Sequence, residues 1–355
     1  MKKSLLALAV LSAFAGVASA QSSVTLYGII DMNLQRNDPK AAGVASTTGV
    51  NSGHQSGSRF GFRGSEDLGG GLSAVFTLEG GYSGDTGASG QGGLLFGRQV
   101  WAGLRSNTAG MLVAGRAASF SSGTGSLDMF GSVDPFGTGF GTASLGSTFS
   151  SANALRVNNA IAYQSPNWGG FRLGVGYSFQ AIGSENPGSG ANNPVIFTGA
   201  SFGAGPFFGV VTYDRVSPTD AQKAGGLNND QTHLQVGATF DLKVVKLHAA
   251  YAKEDNQFVL SSVGTTNGAD ATSYMGGFTI PVGSLSILGS YQKRDGKVLG
   301  TYEADRTVWG LGASYSLSRR TNLYLSYADS DGKKSLNNST TYDKKETTVG
   351  LRHQF

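Results

Sequence analysis

From Val24 onward the chain keeps returning to one pattern, a run of eight to twelve residues in which apolar and polar side chains alternate. In Val24 to Gln35, Leu26, Ile30, Met32 and Leu34 share one parity while Tyr27, Asp31, Asn33 and Gln35 share the other. Side chains on an extended strand point to opposite faces in turn, so this period makes a strand with one greasy face and one wet face. Arg59-Phe-Gly-Phe-Arg63 alternates charge with phenylalanine, and Leu72 to Tyr82 sets Ala74, Phe76 and Leu78 against Ser73, Thr77 and Glu79. Phe171 to Phe179 repeats the scheme, with Arg172 and Ser178 on its polar face. Read this way the chain has sixteen strands, near 24–35, 58–65, 72–83, 94–105, 111–118, 155–164, 171–180, 194–203, 207–216, 231–241, 245–254, 272–281, 285–294, 306–317, 322–329 and 345–355.

The links between strands alternate in length. Glu66–Gly71, Ser106–Gly110, Ser165–Gly170, Ala204–Pro206 and Val282–Ser284 are tight, whereas 36–57, 84–93, 119–154, 181–193, 217–230, 255–271, 295–305 and 330–344 are long and polar. Short turns on one rim and long loops on the other belong to an antiparallel barrel that crosses a membrane, whose strands must close so that no backbone group is left unpaired in hydrocarbon. Tyr163, Tyr177, Tyr213, Tyr251, Tyr291, Trp309, Tyr315 and Tyr327 fall near strand ends, where aromatic girdles would stand. A sandwich core is the competing use of these aromatics.

Composition narrows the choice. Lys2 and Lys3, the apolar run Leu5 to Val17 and Ala18-Ser19-Ala20 read as a secretory signal peptide over residues 1–20, leaving 21–355 as the mature chain. Those lysines are the only charges removed, so 27 basic and 23 acidic groups become 25 and 23, a balance of +2 that argues against a nucleic-acid partner. Cysteine is absent, so an exported chain must hold itself by burial or by closed hydrogen bonding. After residue 20 no apolar run reaches the length of a membrane helix.

The segment 119–154 stands apart, with 36 residues, seven glycines, five phenylalanines and two charges, Asp128 and Asp134. Structureless links beyond about 12–15 residues are usually functional, and this one is expected to fold into the barrel and narrow it. An arginine on the lipid face at mid-membrane costs about 2–4 kcal/mol, so mid-strand arginines are expected to face the lumen. Arg59 lies opposite Phe60 and Phe62, and Arg156 opposite Val157, Ile161 and Tyr163. Arg98 is placed inward on the energetic argument, with Trp101 as an outward aromatic near the lower rim. Arg63, Glu79, Arg116, Arg172, Lys246 and His248 are further lumen candidates. Arg59, Arg98 and Arg156 would crowd one arc of wall, and Asp128 and Asp134 are the acids the loop can set against them, unless they cap a short helix there. Charge clusters across a neck of about a Debye length set ion preference, and more arginine than aspartate predicts mild anion preference.

Several stretches carry a resemblance. Val24-Thr-Leu-Tyr-Gly28, Ser58-Arg-Phe-Gly-Phe-Arg-Gly-Ser-Glu-Asp-Leu68, Gly97-Arg-Gln-Val-Trp-Ala-Gly-Leu104, Gly110-Met-Leu-Val-Ala-Gly-Arg116, Arg156-Val-Asn-Asn-Ala-Ile-Ala-Tyr163 and Gly350-Leu-Arg-His-Gln-Phe355 together resemble the Gram-negative general porins, of the type common in beta-class proteobacteria. The resemblance implies a homotrimer of sixteen-stranded all-β transmembrane barrels in the bacterial outer membrane, each with its third loop folded into the lumen. It implies a basic cluster at Arg59, Arg98 and Arg156, loop acids at Asp128 and, by approximate register, Asp134, and an assembly signal at Phe355 read by the barrel-insertion machinery. It further implies trimer contacts through the first to fifth strands with loop 84–93 as a latch, and lipid and lipopolysaccharide as surroundings. Where relatives have a lumen lysine on the first strand this chain has Ile29. The activity implied is passive diffusion of small hydrophilic solutes and ions, with a substrate-specific channel or a secreted adhesin or lectin as alternatives.

No catalytic or cofactor pattern competes with this reading. His54, His233, His248 and His353 lack metal-ligand spacing, there is no Gly-x-Ser-x-Gly, and Gly69-Gly70-Gly71 sits in a tight turn. Asp329-Ser-Asp331-Gly begins like a calcium loop but has no glutamate at the twelfth position.

Overall fold

A computed structural model of the chain describes residues 23–137, 139–149, 156–188, 190–258, 260, 269–297, 305–332 and 343–355. The expected signal peptide, and 138 and 150–154 of the long third loop, lie outside the described residues.

The strands run β1 (Ser23–Pro39), β2 (Thr47–Ser52), β3 (Arg59–Gly69), β4 (Leu72–Gly81), β5 (Gln99–Ser106) and β6 (Gly110–Ala118). They continue with β7 (Arg156–Gln164), β8 (Phe171–Ser178), β9 (Val195–Ala204), β10 (Phe207–Val216), β11 (Gln231–Asp241) and β12 (Lys246–Gln257). The last are β13 (Ala269–Val282), β14 (Leu285–Lys297), β15 (Arg306–Ser316), β16 (Thr321–Gly332) and β17 (Lys344–Gln354). Each pairs antiparallel with its neighbour, and β17 returns to β1 in a register that sets Ile29 across from Gln354 and Pro39 across from Lys344. β2 and β3 both lie along β1, one above the other, so they make a single stave and the barrel has sixteen. Closure satisfies every ladder without leaving an edge.

The two faces of each strand separate as the alternation requires. Leu26, Ile30, Leu34, Leu112, Val236, Leu311, Leu325 and Val349 are exposed, while Asp31, Asn33, Gln235, Gln292, Ser326 and Thr348 are buried. The molecule is apolar outside and polar inside, as a barrel in lipid around a wet lumen must be. Among the described residues no helix is long and apolar enough to cross a membrane, and the crossing is made by strands. Tyr251 stacks edge-on against Tyr274, and Trp309 lies against Tyr327, on the outer surface of the long-loop half. Tight turns use glycine where the backbone must turn left-handed, as at Gly205 and Gly283 with φ of 56° and 60°.

Three expectations change. The loop expected over 36–57 contains β2, and its last part, 53–57, bends into the lumen, where Ser56 N donates to the buried Asp31 carboxylate at 2.6 Å. The strand expected from 94 begins at Gln99, because Gly92 and Gly93 turn with positive φ and keep that stretch out of the sheet. Trp101 is an inward residue, 5 % exposed, with its indole N–H on Gln99 Oε1 at 3.3 Å, not an outward girdle aromatic.

Candidate functional site: the lumen neck

The third loop leaves β6 at Ser119 and folds into the barrel through three short 3-10 turns, Gly131–Val133, Gly141–Ala143 and Leu145–Ser147. Its apolar face is turned to the wall. Phe120, Phe130, Val133, Phe136 and Phe149 are buried, and the wall meets them with glycines. A Cβ on Gly174 would lie 2.4 Å from the Phe120 ring, one on Gly237 2.7 Å from Val133, and one on Gly312 2.8 Å from Phe136. A track of missing side chains on the inner wall thus seats the loop against the barrel.

Polar side chains on the far wall then tie it down. Gln235 Nε2 donates to Phe149 O at 3.1 Å, Arg294 Nη1 and Ser273 Oγ donate to Thr148 O at 3.0 and 2.7 Å, and Arg306 Nη1 donates to Ser147 O at 2.5 Å. Glu346 accepts from the Thr142 amide at 3.0 Å and its hydroxyl at 2.8 Å. His248, expected in the lumen, is there, with Nδ1 2.8 Å from Val133 O. The neighbouring Lys246 is half-buried at the same inward parity. His54, in the inward bend, accepts the Phe140 amide on its carbonyl at 2.6 Å, and burial pulls its imidazole down to about 4, against the opposing pull of Glu346.

Between the loop and the near wall lies a cavity of ≈ 300 Å³. Arg59, Arg98 and Arg156 line it together, facing Ser121, Ser122, Gly123 and Thr124 of the loop. Arg98 Nη2 donates to Thr124 Oγ1 at 3.2 Å, so wall and loop touch at one edge of the opening. Arg98 Nε donates to Glu79 Oε1 at 2.7 Å, and Arg59 Nη1 stands 3.9 Å from the same oxygen. Tyr27 Oη donates to the other oxygen of Glu79 at 3.0 Å. Two of the three guanidiniums therefore share one carboxylate, Arg156 has no ion pair with it among the described residues, and the opening carries a positive excess.

Neither loop aspartate lines this cavity. Asp128 accepts the amides of Gly123, Phe130 and Gly131 at 2.7, 3.1 and 2.9 Å, and burial pushes its carboxyl up to about 6 despite those donors. Asp134 accepts the amides of Phe136 and Leu145 at 2.9 Å each. Both brace the loop's own turns, because buried amides need acceptors. Sequence reasoning placed Glu79 in the lumen without assigning it as the arginines' counterion. Register makes it so, since Glu79 pairs with Gly61, two residues from Arg59, on one side and with Gln99, next to Arg98, on the other.

The remaining candidates scatter. Arg63 lies below the opening with its guanidinium 5.2 Å over the Tyr27 ring, and Arg172 is an exposed inward residue at the short-turn end of β8. Arg116 is bound to Gly97 O and to the Asn158 side chain and lines neither this cavity nor the one beneath it. On β6 it shares the parity of the exposed Leu112 and Ala114, and the bulge between Gly115 and Ala117 interrupts that alternation beside it. The same irregularity, with Asn159 at φ 51°, turns Val157 into the core, opposite to its expected outward face. Gln55, Ser56 and Gly57 border the opening and carried no signal in the sequence beyond lying in a long loop.

Residues 7–335 match the family model described as Gram-negative porin. The chain belongs to the Gram-negative porins. Among curated relatives, an outer membrane porin protein of Bordetella pertussis is 38 % identical over the whole of both chains. Outer membrane porin protein 32 of Delftia acidovorans is 36 % identical, covering 91 % of this chain and 88 % of its own. The anion-selective porin from Comamonas acidovorans has a solved structure that superposes with a TM-score of 0.77 at 28 % identity, covering 94 % of this chain and 100 % of its own. A trimer form of OmpT from Vibrio cholerae, at 16 % identity, has a TM-score of 0.63 over 94 % of this chain and 99 % of its own, and shares the fold. The porin is thus an outer-membrane channel protein built as a sixteen-stranded barrel with its third loop inside.

Proposed function

We propose that this porin is a water-filled passive channel for small hydrophilic solutes and ions with a mild preference for anions, and that its constriction lies between Arg59, Arg98 and Arg156 on the wall and the loop within 119–154. The observation that carries the reading is the charge balance at the opening, where three guanidiniums border the cavity and one carboxylate, Glu79, lies among them. An opening that carries net positive charge concentrates anions and repels cations. The Comamonas relative is an anion-selective porin, which agrees. Asp128 and Asp134 serve the constriction by holding the loop's shape.

The working unit is a homotrimer in the outer membrane, reached through a cleaved leader, with Phe355 as the mark for the insertion machinery and lipopolysaccharide at the outer leaflet. Exposed Leu94 and Leu95, next to the loop 84–93, offer apolar surface for a neighbouring copy. Reversal potentials across a potassium chloride gradient in a planar bilayer test the function. Anion preference that falls in Arg98→Ala is the expected result, and clear cation selectivity of the parent channel would overturn it.

A further inference from the structure

Beneath the neck, on the short-turn side, lies a second cavity of ≈ 460 Å³ roofed by Gly125 and Ser126 of the loop. Arg59 borders it from above, and two further arginines, Arg63 and Arg105, stand on its wall. Arg63 pairs across the sheet with Thr77, and Thr77 with Trp101, so guanidinium and indole face the same space two strands apart, about 10 Å. Arg105 pairs with Ser73, four residues down β4 from Thr77, about 13 Å nearer the rim. The arginines thus descend the wall in steps.

One carboxylate, Glu79, also lines this cavity, against three arginines. Glu79 is taken by Arg98 and Tyr27, with Arg59 next nearest. Among the described residues neither Arg63 nor Arg105 has a carboxylate within ion-pair reach; Arg63 lies over the Tyr27 ring and Arg105 Nη2 points at the Met111 sulfur at 3.5 Å. Asp67, at the rim on the far side of Ser73, accepts the Gly69 amide. The same cavity has apolar wall from Val75 and Trp101. Val75 and Trp101 are each 5 % exposed, so they offer apolar edges, and guanidiniums without a carboxylate partner beside such edges suit an anion that brings an apolar face of its own, which chloride or phosphate lacks.

We propose that this vestibule is a second anion station, selective for carboxylates carried on a planar apolar ring, with Arg63 and Arg105 taking the carboxylate and Trp101 the ring. The proposal rests on the channel reading and adds a site below the neck that distinguishes among anions.

The test uses the full-length porin extracted from outer membranes and reconstituted in planar bilayers in potassium chloride, with benzoate or acetate added to either side. Benzoate is expected to block chloride current at lower concentration than acetate. Arg63→Gln and Arg105→Gln are each expected to raise benzoate's half-blocking concentration about 10-fold, the loss of one charge-assisted contact, and Trp101→Leu to remove the difference between benzoate and acetate. Arg105 is exposed and makes no buried hydrogen bond, so its variant tests the site without a folding question. Equal block by the two anions in the parent, or unchanged benzoate block in both arginine variants, overturns the station. Failure of the channel reading would appear separately, as a parent protein that conducts no current or selects cations.

Discussion

Arg98 Nε and Glu79 Oε1 meet at 2.7 Å on neighbouring staves, in a pair that is 7 % and 3 % exposed, and this single contact fixes where the neck's positive charge sits. Among the described residues Glu79 is the one acid ion-paired with these arginines. Replacing Glu79 with Gln keeps the shape and removes the charge, so the reversal potential should move further toward anions. The thermal transition of the folded barrel should drop, since breaking a buried pair costs about 3–5 kcal/mol and the lumen's water offsets part of that. An unchanged reversal potential would place the selective charges elsewhere.

Asp128 is expected to behave differently from the arginines. Its carboxylate accepts three loop amides, so Asp128→Ala leaves buried donors unpaired at about 1–3 kcal/mol each. Single-channel records should show more frequent flicker between conductance levels, with the ratio of anion to cation permeability little altered. A large selectivity change with quiet current would contradict the bracing role.

The glycine track makes a steric prediction. A methyl group at position 237 would stand 2.7 and 2.8 Å from the two methyls of Val133, too close for carbon atoms, so Gly237→Ala should push the loop toward the opening. Single-channel conductance should fall. The same substitution at Gly276, where nothing lies within 4 Å, serves as the control and should leave it as it was.

His54 gives the porin an acid limit. Burial pulls its imidazole down to about 4, so between pH 6.5 and 4 the unfolded chain holds a proton there that the folded chain does not. Stability is then complete above that window and is lost as pH falls through it. Because His54 O accepts the Phe140 amide and Nε2 lies 2.8 Å from Ser326 Oγ, the loop's grip should loosen on acidification. Heat-induced unfolding followed from pH 7.5 to 4 should show a falling midpoint, and His54→Gln should flatten that part of the curve.

Phe355 closes the seam between first and last staves. Its amide and carbonyl exchange hydrogen bonds with Gly28 at 3.1 Å, and its ring occupies the space where a Gly28 Cβ would stand, 2.3 Å away. Phe355→Ala should lower the amount of heat-modifiable porin in outer membranes by several-fold, whereas the refolded protein should conduct like the parent. Normal levels of the variant would remove the assembly role.

The alternation of side chains along each strand, and of short with long links between strands, determined the barrel from the sequence alone. Those signals are local, and lipid outside with water inside leaves a two-faced strand one way to stand. The inward direction of Arg59 and the lumen position of His248 were legible for the same reason. Which acid meets which arginine was not, because Glu79, Arg59 and Arg98 come together through register between staves, and register depends on the closed ladder as a whole. A bulge hid Val157, since one extra residue reverses every later parity. The loop's orientation also belongs to the tertiary structure: buried amides claimed Asp128 and Asp134, and glycines on distant strands took up its aromatic face.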